Sequence, residues 1–385
     1  MLTPMSPAAS ALARLALAIV LTLSPWFSAA AILPHLRAQH ALGDAASAWL
    51  TVAVQLGFVL GATLSAGLSL ADRVAPRTLI LLGALGAAAC NALLLSDHTA
   101  VLFTARALTG AALALVYPPA LKAMTAWYAT RGRGFALGTL VGALTLGGAI
   151  PHLVNALGGA DARTVILATT VMAAAGGLLA ARTPEGPHRT PGAPVTARDA
   201  LSALRPRAVR LATLGYLAHM WELYAMWAWF GVYLRETRHL TAGAAALATF
   251  AVIGVGAFGC VVGGVLADRW GRARLITLSL ALSGGSALSL AALTAAHAPT
   301  TLILIVALIW GFWIIADSAQ YSALVGEHAP PRSSARPSPP RWPSASCSPP
   351  SPSPSHRCCA PNSAGPSRSR CSASARSSGC PPCAP

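Results

Sequence analysis

The chain has 385 residues, 55% of them apolar and only 10% charged, with a formal charge of +16. Soluble domains carry about 25% charged residues, so the composition excludes an ordinary water-soluble globule and points to lipid as solvent. Only Cys90 and Cys260 of the eight cysteines precede residue 347, which excludes a disulfide framework for the apolar body.

A helix needs about 20 apolar residues to cross the hydrocarbon core. Runs of that kind lie near 11–34, 45–70, 78–96, 99–121, 134–157, 163–181, 209–234, 241–267, 275–294 and 300–325. They predict an all-α membrane protein with ten spans. Segments of alternating polarity are absent from the sequence, against a membrane β-barrel. The first run follows Arg14 and ends in Ala29-Ala30-Ala31, as a signal peptide does. Its length and the spans that follow favour an uncleaved first span. Pro25, Pro118-Pro119, Gly147-Gly148 and Pro151 interrupt spans, which membrane helices tolerate when neighbours satisfy the freed backbone groups. Gly57/Gly61 and Gly138/Gly142 have the four-residue spacing that lets two helices approach closely.

Loop charges orient the spans. With the N-terminus inside, fifteen Lys and Arg before the tail fall inside and four outside (Arg37, Arg163, Arg235 and Arg238). That is the positive-inside pattern. The basic balance then faces a cytoplasm and anionic membrane lipid, and nucleic acid is not an expected partner. Residues 182–207, with Pro184, Pro187, Pro191 and Pro194, read as a cytoplasmic linker. The expected organisation is a six-helix bundle over 1–181, this linker, an incomplete four-helix bundle over 208–332 and a tail over 333–385.

From Ser333 onward the chain has no Asp, Glu, Leu, Ile, Val or Phe, and it holds six of the eight cysteines. One reading is a disordered basic tail. A second is a metal or redox site built from Cys358-Cys359, Cys371 and the Cys380/Cys383 pair, which lacks any ordered ligand spacing. A third explains more of the composition. Read one base earlier, Ser codons become Leu, Val, Ile or Phe, and Cys codons become mostly Leu, Val or Met. An apolar run then begins near Ser334, so the tail is expected to be out of frame, with two spans lost. The nucleotide sequence decides this.

Two charged turns lie between apolar runs at corresponding places in the two halves. The second is Gly264-Val265-Leu266-Ala267-Asp268-Arg269-Trp270-Gly271-Arg272-Ala273-Arg274, and the first is Leu70-Ala71-Asp72-Arg73-Val74-Ala75-Pro76-Arg77. Glycine in such a turn supplies unusual backbone angles, and arginines pin helix ends to head groups. The pattern Gly-x-Leu-Ala-Asp-Arg-x-Gly-Arg resembles the cytoplasmic loop motif of the major facilitator superfamily. The first copy departs from it at Leu68 and Ala75, where the motif has glycines. Arg106 followed by Gly110 resembles that family's membrane-embedded arginine motif. The fifth span lacks the Gly-Pro sequence of the antiporter subgroup. Trp26-Phe27-Ser28 and the His219–Trp227 segment look closest to the cyanate/nitrate-nitrite-like branch.

The resemblance covers residues 11–332. It implies a two-bundle fold of the superfamily type, here as six plus four helices with the last two of twelve missing. It further implies that Asp72, Arg73, Arg77, Gly264, Asp268, Arg269, Gly271, Arg272 and Arg274 form loops that latch one bundle to the other; a plain topological anchor is the alternative. On that basis Asp268 keeps its partner helix, the fifth, while Asp72 loses its own, the eleventh.

Ionisable groups in mid-span cost about 2.5–3.5 kcal/mol on insertion scales and are the best site candidates. They are Arg106, Glu222 and Asp317. His219 shares a face with Glu222, Gln320 and Tyr321 share one with Asp317, and His152 shares one with Asn155. The functional reading is a polar cavity in which Arg106 attracts an anionic solute and Glu222 or Asp317 carries a proton. The structural reading has Arg106 bonded to backbone at a kink, the acids capping or pairing, and His152 with Asn155 joining helices. Trp221, Trp227, Trp229 and Phe230 are candidates to line the cavity.

The expected function is secondary transport of a small solute by alternating access, proton-coupled, in a bacterial inner membrane, with no cofactor and no bond chemistry. No phosphate-cradling loop occurs. A truncated, non-transporting remnant stays open as the alternative. An intramembrane enzyme is more remote, because neither His-x-x-x-His nor Gly-x-Ser-x-Gly is present.

Overall fold

The structure, a computed structural model, describes residues 6–128, 132–158, 161–188, 202 and 204–328. Most of the expected linker beyond His188, and the tail with its out-of-frame reading, lie outside the described residues. Long helical segments follow one another as α1 (Pro7–Ala31), α2 (Asp44–Gly67), α3 (Pro76–Leu95), α4 (Thr99–Thr125), α5 (Arg133–Leu157), α6 (Ala162–Ala181), α7 (Arg207–Glu236), α8 (Ala242–Trp270), α9 (Arg272–Ala295) and α10 (Thr300–Val325). No strand occurs among the described residues. Nine of these segments are long and apolar enough to cross a membrane. The exception is α7, which at 30 residues is long enough but is diluted by Arg210, His219, Glu222, Arg235 and Glu236. The span expected at 209–234 is there as a helix, with its imidazole buried.

Local chemistry sets the boundaries. The Asp161 carboxylate accepts from Thr164 N at 2.8 Å and opens α6, and the Thr241 hydroxyl accepts from Ala244 N at 3.3 Å and opens α8, each an N-cap. Pro76 occupies the first turn of α3, where its missing N–H is not needed. Proline also breaks helices here. α1 passes through a 3-10 turn at Ser24–Phe27, which contains Pro25. α4 is interrupted at Ala114–Val116, just before Pro118 and Pro119. α10 is interrupted at Asp317.

Helices α1–α6 pack among themselves, with α2 on α4, α3 on α4 and α6, and α1 on α5 and α6. The Gly57 spacing is a packing device as expected: a Cβ there would lie 1.9 Å from the Ala107 carbonyl oxygen, so α2 and α4 touch backbone to backbone. In the second group, α8 and α9 pack on α10, and α7 packs on α8 and the last turns of α10. The two groups meet along α5 and α8. There a Cβ on Gly138 would lie 2.5 Å from Cys260 O. One apolar core runs through both groups, joining Leu15, Ile19 and Phe27 of α1 to Trp227 and Phe230 of α7 and to Ile253 of α8.

Candidate functional site

Arg106 is buried in α4, and its guanidinium faces the bend of α1. Its Nη1 donates to Pro25 O at 2.8 Å and to Ser28 Oγ at 3.5 Å, its other terminal nitrogen to Trp26 O, and Nε to Leu50 O at 3.4 Å. Pro25 and Trp26 belong to the 3-10 turn and Leu50 to α2, and a planar fork with five donors reaches all three carbonyls together. Of the two readings of Arg106, this geometry matches the structural one. The bend is braced further by Asn91 of α3. Its Nδ2 donates to Ile166 O at 3.1 Å and Thr169 Oγ1 at 3.0 Å, and its Oδ1 accepts from Ser28 Oγ at 2.7 Å.

The second group holds the acidic candidates. His219 Nδ1 lies 3.2 Å from Asp317 Oδ1, and both side chains are 1% exposed. The pair is at ion-pair distance without hydrogen-bond alignment. His219 Nε2 and the Tyr321 hydroxyl are also without a hydrogen-bond partner among the described residues. The rings of Tyr216 and Tyr321 flank the imidazole at centroid distances of 5.9 and 5.4 Å. Glu222, one turn further along α7, is anchored separately. Trp310 Nε1 donates to its Oε1 at 2.8 Å, and Ser283 Oγ to its Oε2 at 3.2 Å. Gln320 is buried beside Asp317 in sequence, and its Oε1 accepts from Arg272 Nη1 at 2.7 Å. The candidates on α7 and α10 are thus brought together, while Arg106 belongs to a different cluster.

A cavity of about 830 Å³ lies between the two groups at the end remote from the charged turns. Its wall includes Ala31, His152, Asn155, Gly231 and Thr249, with Arg235 nearer the mouth. His152 and Asn155 are 6% and 9% exposed, and His152 Nε2 and Asn155 Oδ1 have no hydrogen-bond partner among the described residues. Asn155 Nδ2 donates to Ala31 O at 2.7 Å, so Asn155 does join α5 to α1 as the structural reading holds. That bond fixes the amide with its oxygen left over.

An aromatic layer follows on the side of the charged turns. Trp26 and Tyr224 stack with centroids 6.3 Å apart, and Phe27 meets Trp227 edge-on at 5.4 Å. Along α7 the order from the cavity is Gly231, Trp227, Tyr224 and then His219. Of the four aromatics expected to line the cavity, Trp227 and Phe230 are buried in the core. Trp221 and Trp229 line a separate groove between α7 and α2.

The charged turns close the opposite end. α8 ends at Trp270 and α9 begins at Arg272, so the whole turn is Gly271, with φ 87° and ψ 147°. Gly264 is not a turn residue, as the motif suggested. It lies within α8, where a Cβ would come 2.6 Å from Gly134 O. The Asp268 carboxylate rests on α5 as well: a Cβ on Gly134 would be 2.5 Å from its Oδ1. Arg272 Nε donates to Glu327 Oε1 at 2.9 Å. Arg269 and Arg274 are exposed. In the first turn Asp72 pairs with Lys122 of α4, whose ammonium also donates to Ala71 O at 2.7 Å. Arg77 lies 3.9 Å from Glu185, and Arg73 is exposed. The left-handed residue there is Ser69, at φ 51°.

Sequence reasoning missed Asn91, Ser283, Trp310, Gly134 and Lys122. Asn91 had a signal, as a lone amide in an apolar span, but attention to ionisable groups passed over it. Trp310 and Ser283 had none, because tryptophan and serine are ordinary in membrane helices.

A sequence profile of the Major Facilitator Superfamily matches residues 15–338. No curated protein matches the chain. Among solved structures, a bacterial homologue of the human lysosomal transporter Spinster, in an inward-facing and unoccupied conformation, superposes with a TM-score of 0.60 at 17% identity. That match covers 85% of this chain and 79% of the other. The proton:xylose symporter XylE, bound to 6-bromo-6-deoxy-D-glucose, superposes with a TM-score of 0.59 at 15% identity, covering 83% and 82%. At such identity the likeness is one of fold, and it agrees with the profile match and the charged turns: the chain belongs to the major facilitator superfamily.

Proposed function

We propose that this multi-pass membrane protein is a proton-coupled secondary transporter of a small solute. The cavity at the mouth of Arg235 is its solute site and the His219–Asp317 pair its proton site. The observation that carries the reading is the placement of these two features on either side of one aromatic layer. A carboxylate facing an imidazole with one proton between them carries no net charge inside a membrane, whereas an isolated buried charge is expensive. Glu222, already held by Trp310 and Ser283, keeps α7 against α9 and α10. With the charged turns on the cytoplasmic side of a bacterial inner membrane, the cavity faces outward and the contact of Asp268 with Gly134 is the closed inner gate. Rocking of one helix group against the other then exposes the site to the opposite side.

The test is reconstitution of the full chain in vesicles loaded with a pH-sensitive dye. Small carboxylates and polyols are added outside, and lumenal pH is read. Addition of a transported solute is expected to move protons. Asp317→Asn abolishes that movement, while Glu222→Gln retains most of it. Unchanged proton movement in Asp317→Asn would overturn the coupling reading.

A further inference from the structure

We propose that the groove between α2 and α7 binds a neutral, planar aromatic molecule that enters from the lipid and pairs an amide-like edge with Gln55. This site adjoins the solute cavity at Leu33 and Ala228 but does not depend on it.

The groove has a volume of about 460 Å³, within the range of sites for small organic molecules. Its α2 wall carries Thr51 and Gln55, one turn apart and so on one face. Gln55 stands at the middle of the 24-residue α2, where a bilayer holds no water to solvate an amide. Neither side chain makes a hydrogen bond among the described residues, and neither is sealed in the interior. A helical threonine can turn its hydroxyl back to the carbonyl four residues earlier, as Thr63 of the same helix does to Val59 O at 2.8 Å. Thr51 leaves that bond unmade, so its hydroxyl is open to the groove.

The α7 wall is aromatic, with Trp221, Tyr224 and Trp229. Trp221 is 81% exposed and stands at the middle of the 30-residue α7, far from the interfaces where lipid-facing tryptophans usually anchor. Its ring is free to stack on a planar ligand. No charged side chain among the described residues lines the groove, so a charged ligand would lie unpaired at mid-membrane. A plain hydrocarbon would leave the amide and the hydroxyl unanswered. A neutral carboxamide on a fused ring satisfies both walls. Its N–H donates to Gln55 Oε1, its carbonyl accepts from Gln55 Nε2, and its rings lie against the tryptophans.

The test is calorimetric titration of the full chain in lipid nanodiscs, with empty nanodiscs as the blank and three matched probes: 2-naphthamide, 2-methylnaphthalene and 2-naphthoate. 2-Naphthamide is expected to bind about tenfold or more tighter than 2-methylnaphthalene, since two hydrogen bonds in a groove without water separate them. It should exceed 2-naphthoate by about as much, because the carboxylate meets no cation there. Gln55→Leu should erase the advantage of the amide over the hydrocarbon, and it removes no hydrogen bond among the described residues. Trp221→Ala should weaken both neutral probes alike, by about fivefold. Neither residue lines the solute cavity, so these two losses assign the ligand to the groove. Naphthoate binding as tight as naphthamide, an amide advantage that survives Gln55→Leu, full affinity in Trp221→Ala, or no binding of any probe overturns the proposal. A chain that binds naphthamide but moves no protons with any solute defeats the transport reading alone, and one that transports but shows no amide preference defeats this one alone.

Discussion

Arg106 shows how little a buried charge says about its role until its partners are known. An arginine in an apolar run was legible as important, because its insertion is costly. Its partners are backbone carbonyls of Leu50, Pro25 and Trp26, and carbonyls have no signature in sequence. Arg106→Leu should remove the bonds to Pro25, Trp26 and Leu50, hydrogen bonds to a charged group being worth about 1.5–3 kcal/mol each. The expected result is a large fall in melting temperature in detergent. Arg106→Lys should not restore it, because a single ammonium cannot reproduce the fork. A variant as stable as the parent would show that the bend of α1 does not need the brace. His152 and Asn155 are the converse case. Their spacing put them on one face, but the bond from Asn155 Nδ2 depends on where α1 ends, at Ala31.

At the scale of elements, spans were legible wherever apolar length decided the matter, from α1 through α6 and α8 through α10. The ends of helices followed from prolines and short polar side chains. What escaped was the division of labour among glycines in one motif. Gly264 and Gly271 look equivalent in the pattern, yet one permits α8 to touch α5 and the other is the turn itself. Gly271 holds a backbone conformation that side chains resist. Gly271→Ala is expected to cost about 1–3 kcal/mol, measurable as a lower melting temperature. Ala75, at the corresponding place in the first turn, has φ −58° and needs no glycine. That departure from the motif is therefore conformationally free. The Asp72 turn is held instead by Lys122 from within its own helix group.

At the scale of the whole molecule, the two helix groups touch most intimately along α5 and α8. Any motion that opens the end near the charged turns has to part that seam. Gly134→Leu should wedge it apart beside Asp268 and raise the share of molecules open at that end. Cys260 turns this into a measurement. It sits inside the seam, 1% exposed, with its sulfur 3.8 Å from Thr145 Oγ1 of α5 and 3.6 Å from Ile315 O of α10. With the six tail cysteines and Cys90 replaced by serine, the remaining thiol should resist maleimide at rest. It should be alkylated faster in Gly134→Leu and during turnover. Equal alkylation rates in all three would mean the seam does not part. The chain thus carries its own stopwatch: the alkylation rate at one native sulfur counts how often the protein exposes its interior to the far side, with no cysteine introduced.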